Sequence, residues 1–188
     1  MALRASEGKR IVMERPALRP LDFFVGLPVP QIYQEQTQWC WAACAIMVAR
    51  YYGDMNNQQC DLASWLFSQP NCCSDPSSSL CNGPCRWEYI CDVYESPLAF
   101  ARCVAYAGYI PPASIKYEID RGRPIECGFV LSDASVGHSV IVSGYYNDVD
   151  DSVYVNDPAD GEGAITWTDL LNAYFAGSWN YTWTDLKR

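Results

Sequence analysis

Residues 39–52 read "WCWAACAIMVARYY", fourteen positions with one charged side chain, Arg50. A surface helix shows a polar face, and this stretch has none, so it predicts a helix buried in the middle of a domain. Gly53 follows, the residue type that ends a helix in the left-handed conformation. A chain of 188 residues, 49% of them apolar, is the size of one domain and can enclose such a helix.

Working outward, residues 1–30 are charged, broken by prolines and aperiodic, which reads as an arm or pro-segment; the packed body is 31–188. A short helix is expected at Asp61–Phe67, and an irregular, Cys-rich excursion over 70–91. "SPLAFARCVAYAG" predicts a helix with Ser96 as N-cap and Pro97 in its first position, ending at Gly108. After residue 116 the period changes. "PIECGFVL", "HSVIVSGYY" and "SVYVND" predict three strands, followed by a helix around Asp169–Tyr174 and a last strand through "WNYTW". A helical half over 31–115 packed on an antiparallel sheet over 116–188 is an α+β fold.

The first twenty residues carry a net charge of +3 and the rest −12. An acidic body repels phosphate backbones, so nucleic acid is not an expected partner. No run of about 18 apolar residues is present, so no membrane partner is expected either, and the reading is a monomer. The start of the chain lacks the apolar stretch of a secretory signal; "LDFFVGLPVP" comes late and is interrupted by prolines.

Cys40 falls in the first turn of the buried helix, where unpaired N–H groups and the helix dipole favour the thiolate. The chain has one histidine, His138, so the identity of any imidazole base is fixed. In a strand, His138, Val140 and Val142 share a face, as do Val153, Val155 and Asp157. With those valines turned to the core beside the buried helix, Asp157 emerges on the side of His138 and Asn156 points away. A carboxylate there fixes the imidazole tautomer and stabilises the imidazolium. Gln34 offers a side-chain amide which, with the Cys40 N–H, suits an oxyanion; Gln36 and Gln38 compete for that role. Each residue also has a plain structural role: Cys40 as packing, His138 as a strand-end cap, Asp157 before Pro158 as a turn starter.

Gln34, Cys40-Trp41-Ala42-Ala43, Gly137-His138-Ser139-Val140 and Asn156-Asp157-Pro158, in that order, resemble the papain-like cysteine peptidases. The wording "QTQWCWAA" with "GHSVIVSGYYNDVDDSVYVNDPA" is similar to the small bacterial branch that includes AvrRpt-type effector proteases and bacteriocin leader peptidases. The resemblance implies a papain-like fold with Cys40 facing His138 across a cleft, a thioester intermediate and no cofactor. Papain offers an asparagine as third residue, whereas this chain offers Asn156 and Asp157 together; strand parity and the bacterial branch favour Asp157.

Cys60, Cys72, Cys73, Cys81, Cys85 and Cys91 crowd into one loop-rich stretch and suit three disulfides, with Cys40, Cys44, Cys103 and Cys127 left as thiols. A zinc site of Cys72, Cys81, Cys85 and Cys91 is the rival, though its spacing is loose and no spare histidine exists. Disulfides favour a secreted or exported protein. The expected activity is cysteine-dependent hydrolysis of a protein or peptide substrate, as a secreted effector or processing protease. The rivals are a catalytically silent, disulfide-stapled binding protein and an acyl transferase using the same triad. The basic arm is a candidate pro-segment for self-cleavage.

Overall fold

The computed structural model describes residues 23–131, 137–172, 174 and 177–188. Helix α1 spans Cys40–Tyr51, and every residue from Trp41 to Ala49 is buried, as an all-apolar helix requires. Gly53 turns the chain after it with φ of 85°, a conformation costly for a side chain bearing Cβ. Helix α2, Gln59–Phe67, opens with a capping box between Gln58 and Asp61. The Cys-rich segment then runs through turns to a 3-10 turn at Trp87–Tyr89 and helix α3, Ile90–Glu95.

Among the described residues, seven antiparallel strands make one sheet: β1 Phe24–Gly26, β2 Arg102–Ala107, β3 Ile125–Leu131, β4 Gly137–Tyr146, β5 Val153–Asp157, β6 Gly161–Ile165 and β7 Gly177–Lys187. Their order is β2-β7-β3-β4-β5-β6, with β1 paired to the end of β4. The α+β class expected from the sequence is the one found. Ordered packing begins upstream of Gln31, where the sequence starts the body: β1 pairs with β4, and Val29 is buried. Residues 1–22 of the arm lie outside the described residues.

The sheet divides two cores. On one side α1, α2 and α3 bury Met47, Leu62 and Tyr94 with Ile141 and Trp183. On the other, helices α4 (Pro112–Ile119) and α5 (Trp167–Asn172) bury Ile115, Ile119 and Leu170 with Val140, Val142, Val153 and Val155. The valine rows therefore belong to the core of α4 and α5, not to that of α1 as the sequence suggests. A strand buried on both faces presents two apolar rows, so period two tells which residues share a face but not which layer covers it.

The helix expected over residues 96–108 does not form. Ser96 instead ends α3, Pro97 follows it, Ala99 takes a positive φ of 55°, and residues 102–107 become edge strand β2 paired with β7. Ser-Pro marks the start of a helix or its end equally well, because proline is favoured in both places. The same misreading misassigns two cysteines. As a strand beside α3, residue Cys103 reaches Cys91 and is bonded to it, while Cys85 remains a buried thiol. The other pairs are Cys60–Cys73 and Cys72–Cys81. The zinc alternative of Cys72, Cys81, Cys85 and Cys91 is thereby overturned, since three of its four sulfurs are in disulfides and are no longer thiolate ligands.

One carboxyl sits wholly inside the first core. Glu126 on β3 accepts a hydrogen bond of 2.8 Å from the Tyr94 hydroxyl, and burial pushes its pKa up to about 7 against the pull of the Tyr94 and Ser139 hydroxyls. Between the ordinary value of 4.5 and about 7 the folded chain keeps a proton that the unfolded chain releases. Stability therefore falls as pH rises through that window. Glu126→Gln should remove this part of the slope, so its Tm relative to wild type should be several degrees higher at pH 8 than at pH 5. An equal difference at both values would show that the carboxyl is not held protonated by burial.

Candidate active site

Cys40 is the first residue of α1, with Trp39 at the N-cap, and is the only free cysteine that is not buried. Burial holds the thiols of Cys44, Cys85 and Cys127 well above their ordinary range. Cys40 opens on a cleft of about 310 Å³, lined by Trp41, residues 84–88, Val130, Gly137 and Ser139.

His138 lies at the start of β4, beside Phe129 on the neighbouring strand. Its Nε2 is 3.0 Å from Asp157 Oδ1, at the end of β5. With that nitrogen engaged, Nδ1 is the ring atom left to meet Cys40, with which His138 also hydrogen-bonds. Burial alone favours a neutral imidazole, but the hydrogen bonds and negative charges of Asp157 and Cys40 outweigh it and raise the His138 pKa to about 10. Asp157 is fully buried, which would raise its pKa; the His138 hydrogen bond and charge, the Tyr174 hydroxyl and the Ala159 N–H together hold it below the usual carboxylate range. Asn156 points to the opposite side, where it accepts from Ser143 at 2.5 Å and donates to Glu162 at 3.1 Å. Strand parity thus separates the two neighbours as the sequence suggests.

Tyr174 is the residue the sequence does not single out. It stands just past α5, 2.6 Å from Asp157 Oδ2, with its ring against Phe129. Burial and the Asp157 charge push its hydroxyl pKa up, so it stays a donor. Asp157 Oδ1 also accepts from the backbone N–H groups of Ala159 and Asp160, at 2.7 and 3.3 Å. A Pro158-containing turn after Asp157 is a legible source of those N–H groups; a tyrosine seventeen residues on is not.

Gln34 is half-buried upstream of Cys40. Its N–H donates to the Pro158 carbonyl at 2.9 Å, and its Nε2 donates to the Gln36 carbonyl, also at 2.9 Å. The segment before α1 is thus tied to the Asp157 turn, and Gln31 strengthens the tie through a 2.6 Å bond from its Nε2 to the Asp157 carbonyl. Buried Gln59 of α2 holds the same segment, accepting from the Glu35 N–H and donating to the Tyr33 carbonyl. Gln38 donates its N–H to Asn82.

A single histidine makes the pair directly measurable. In an NMR titration the His138 imidazole should stay protonated through neutrality and titrate near 10. Its charged form stabilises the fold fully below about 6.5, and that contribution is lost as pH rises through about 10. Asp157→Asn should lower the His138 pKa by at least about one unit. A wild-type value near 6.5 would contradict the pairing.

The fold is similar to that of solved peptidases. A C39-like peptidase from Bacillus anthracis is 16% identical over 88% of this chain and 98% of its own, with a TM-score of 0.58. A double glycine motif protease of an AMS/PCAT transporter, solved in complex with the leader peptide, is 18% identical over 84% of this chain and 91% of its own, with a TM-score of 0.51. At such identities the likeness is one of fold. No curated protein matches the sequence. The model of the Peptidase_C39 like family, however, matches residues 26–185, nearly the whole described chain, and the protein therefore belongs to that family of papain-like cysteine peptidases.

Proposed function

We propose that the protein hydrolyses peptide bonds with Cys40 as nucleophile, His138 as proton carrier and Asp157 as the group that orients it. One observation carries this reading. A single imidazole is hydrogen-bonded both to a cysteine at a helix N-terminus and to a fully buried carboxylate. Two strands and a helix bring together three residues spread over more than a hundred positions, the arrangement that nucleophile, base and orienter require.

The Cys40 thiolate adds to the scissile carbonyl carbon. As the C–N bond breaks, imidazolium His138 donates its proton to the leaving amine and a thioester remains. Neutral His138 then takes a proton from water while the hydroxyl adds to the thioester, the acid departs, and thiolate and imidazolium are restored. Asp157 keeps Nε2 engaged, so Nδ1 faces the sulfur throughout. Gln34 turns its Nε2 from the Gln36 carbonyl to the developing oxyanion and acts there with the Cys40 N–H; losing one such donor costs about 3 kcal/mol.

An extended peptide is the substrate that suits an open cleft beside Cys40, and the neighbour solved with a leader peptide supports that class. The three disulfides support an oxidising compartment and a secreted or exported processing role.

The test incubates wild type and Cys40→Ala with a peptide mixture under mild reductant and reads products by mass spectrometry. Products from wild type alone are expected, with His138→Ala slowed by at least about 100-fold. Cleavage by both proteins, or by neither while Cys40 fails to react with iodoacetamide, would sink the reading. Transfer of the acyl group to added amines in preference to water would redirect it to acyl transfer. The same spectra report whether wild type trims its own N-terminal arm.

A further inference from the structure

Three disulfides take six of the ten cysteines, and two of the four thiols that remain meet in one place. Cys40 and Cys85 both line the cleft, whereas Cys44 and Cys127 do not. Four hydrogen bonds sew the segment carrying the first to the segment before the second. Trp39 Nε1 donates to the Cys81 carbonyl at 2.8 Å and Trp41 Nε1 to the Gly83 carbonyl at 3.2 Å. The Gln38 N–H donates to Asn82 Oδ1 at 3.0 Å, and Asn82 Nδ2 to Thr37 Oγ1 at 2.9 Å. Both chain neighbours of Cys40 are therefore held to residues 81–83, and Cys85 follows two positions on. The two sulfurs lie close enough for the charge of one to bear on the other.

The two thiols differ in the way that oxidation chemistry requires. Cys40 is partly open to solvent at a helix N-terminus, so it is the thiolate that an oxidant meets first. Cys85 is buried and donates its thiol to the Arg86 carbonyl at 3.3 Å, so it stays protonated and unattacked. The stretch that must shift to bring the sulfurs to bonding distance, residues 83–86, belongs to no helix or strand, so no backbone ladder has to break.

We propose, resting on the reading of Cys40 as nucleophile above, that Cys85 is a resolving thiol which captures oxidised Cys40 in a reversible Cys40–Cys85 disulfide. The co-reactant is a hydroperoxide. The Cys40 thiolate attacks its hydroxyl oxygen, the O–O bond breaks, and the departing alkoxide takes the His138 proton and leaves as alcohol. Cys40 is then a sulfenic acid. The Cys85 sulfur attacks the Cys40 sulfur, the S–O bond breaks as the S–S bond forms, and the hydroxyl leaves with the Cys85 proton as water. Two thiols have lost two electrons and the hydroperoxide has gained them. The disulfide silences the nucleophile and spares it the irreversible sulfinic state; a dithiol restores it.

The experiment treats the full chain with hydrogen peroxide and follows Cys40 by iodoacetamide labelling, intact mass and peptide mapping. Wild type should lose labelling with a fall of about 2 Da, yield a cross-linked peptide joining residues 40 and 85, and recover most of its labelling with brief dithiothreitol. Cys85→Ala should instead gain about 32 Da at Cys40 and recover at least fivefold less. Cys44→Ala should behave as wild type. Should Cys85→Ala fail to fold, the wild-type cross-link decides alone. Oxygen addition to wild-type Cys40 without a cross-link, a cross-link to Cys44, or equal recovery in Cys85→Ala overturns the proposal. If untreated Cys40 does not label, the nucleophile falls first and the switch with it. If the cross-link forms in a protein that cleaves no peptide, the peptidase reading falls and the thiol pair stands.

Discussion

The structure depends on the burial of α1. A helix with no polar face is stable only when covered on all sides, and each cover is visible: α2 and α3 on its flanks, the Cys-rich segment over its N-terminal end, and the sheet beneath. That enclosure leaves only the two ends of the helix partly exposed, Cys40 at one and Arg50–Tyr51 at the other. Because Cys40 is the first residue of the helix, it is the point at which the buried element reaches the cleft. Packing and chemistry are satisfied by one constraint: the helix places its terminal N–H groups, and the residue beside them, at the boundary between core and solvent.

The sheet supplies the other half. It is a partition between two cores, and His138 and Asp157 belong to the side covered by α4 and α5, next to Phe129 and Tyr174. Asp157 is therefore buried on that side, and its charge is balanced by His138, the Tyr174 hydroxyl and two backbone N–H groups. A buried carboxylate without those partners would take up a proton and lose its hold on the imidazole. The Asp157 turn and the segment before α1 are linked through Gln31 and Gln34, which couples the two halves beside Cys40, His138 and Asp157.

The three disulfides all lie within residues 60–103, and two of them bound the irregular stretch 82–90, part of which lines the cleft. Covalent links here do what apolar burial does elsewhere in the molecule. They fix a short irregular stretch whose own side chains cannot enclose it.

What the sequence determined by itself is local and periodic. The uninterrupted apolar run at 41–49 required a buried helix, and strand parity put Asp157 rather than Asn156 on the side of His138, the one histidine of the sequence. What only the tertiary structure decided is which surface covers which. "SPLAFARCVAYAG" carries signals for a helix start and a helix end, and the choice fell to pairing with β7, sixty or more residues on. That choice moved Cys103 into a disulfide and left Cys85 in the cleft wall. Tyr174 was illegible because nothing near it in the chain requires a hydroxyl; the requirement belongs to a carboxylate seventeen positions away. Spacing in a sequence constrains neighbours along one element, whereas the partners of a buried charge are set by elements that meet only once the chain has folded.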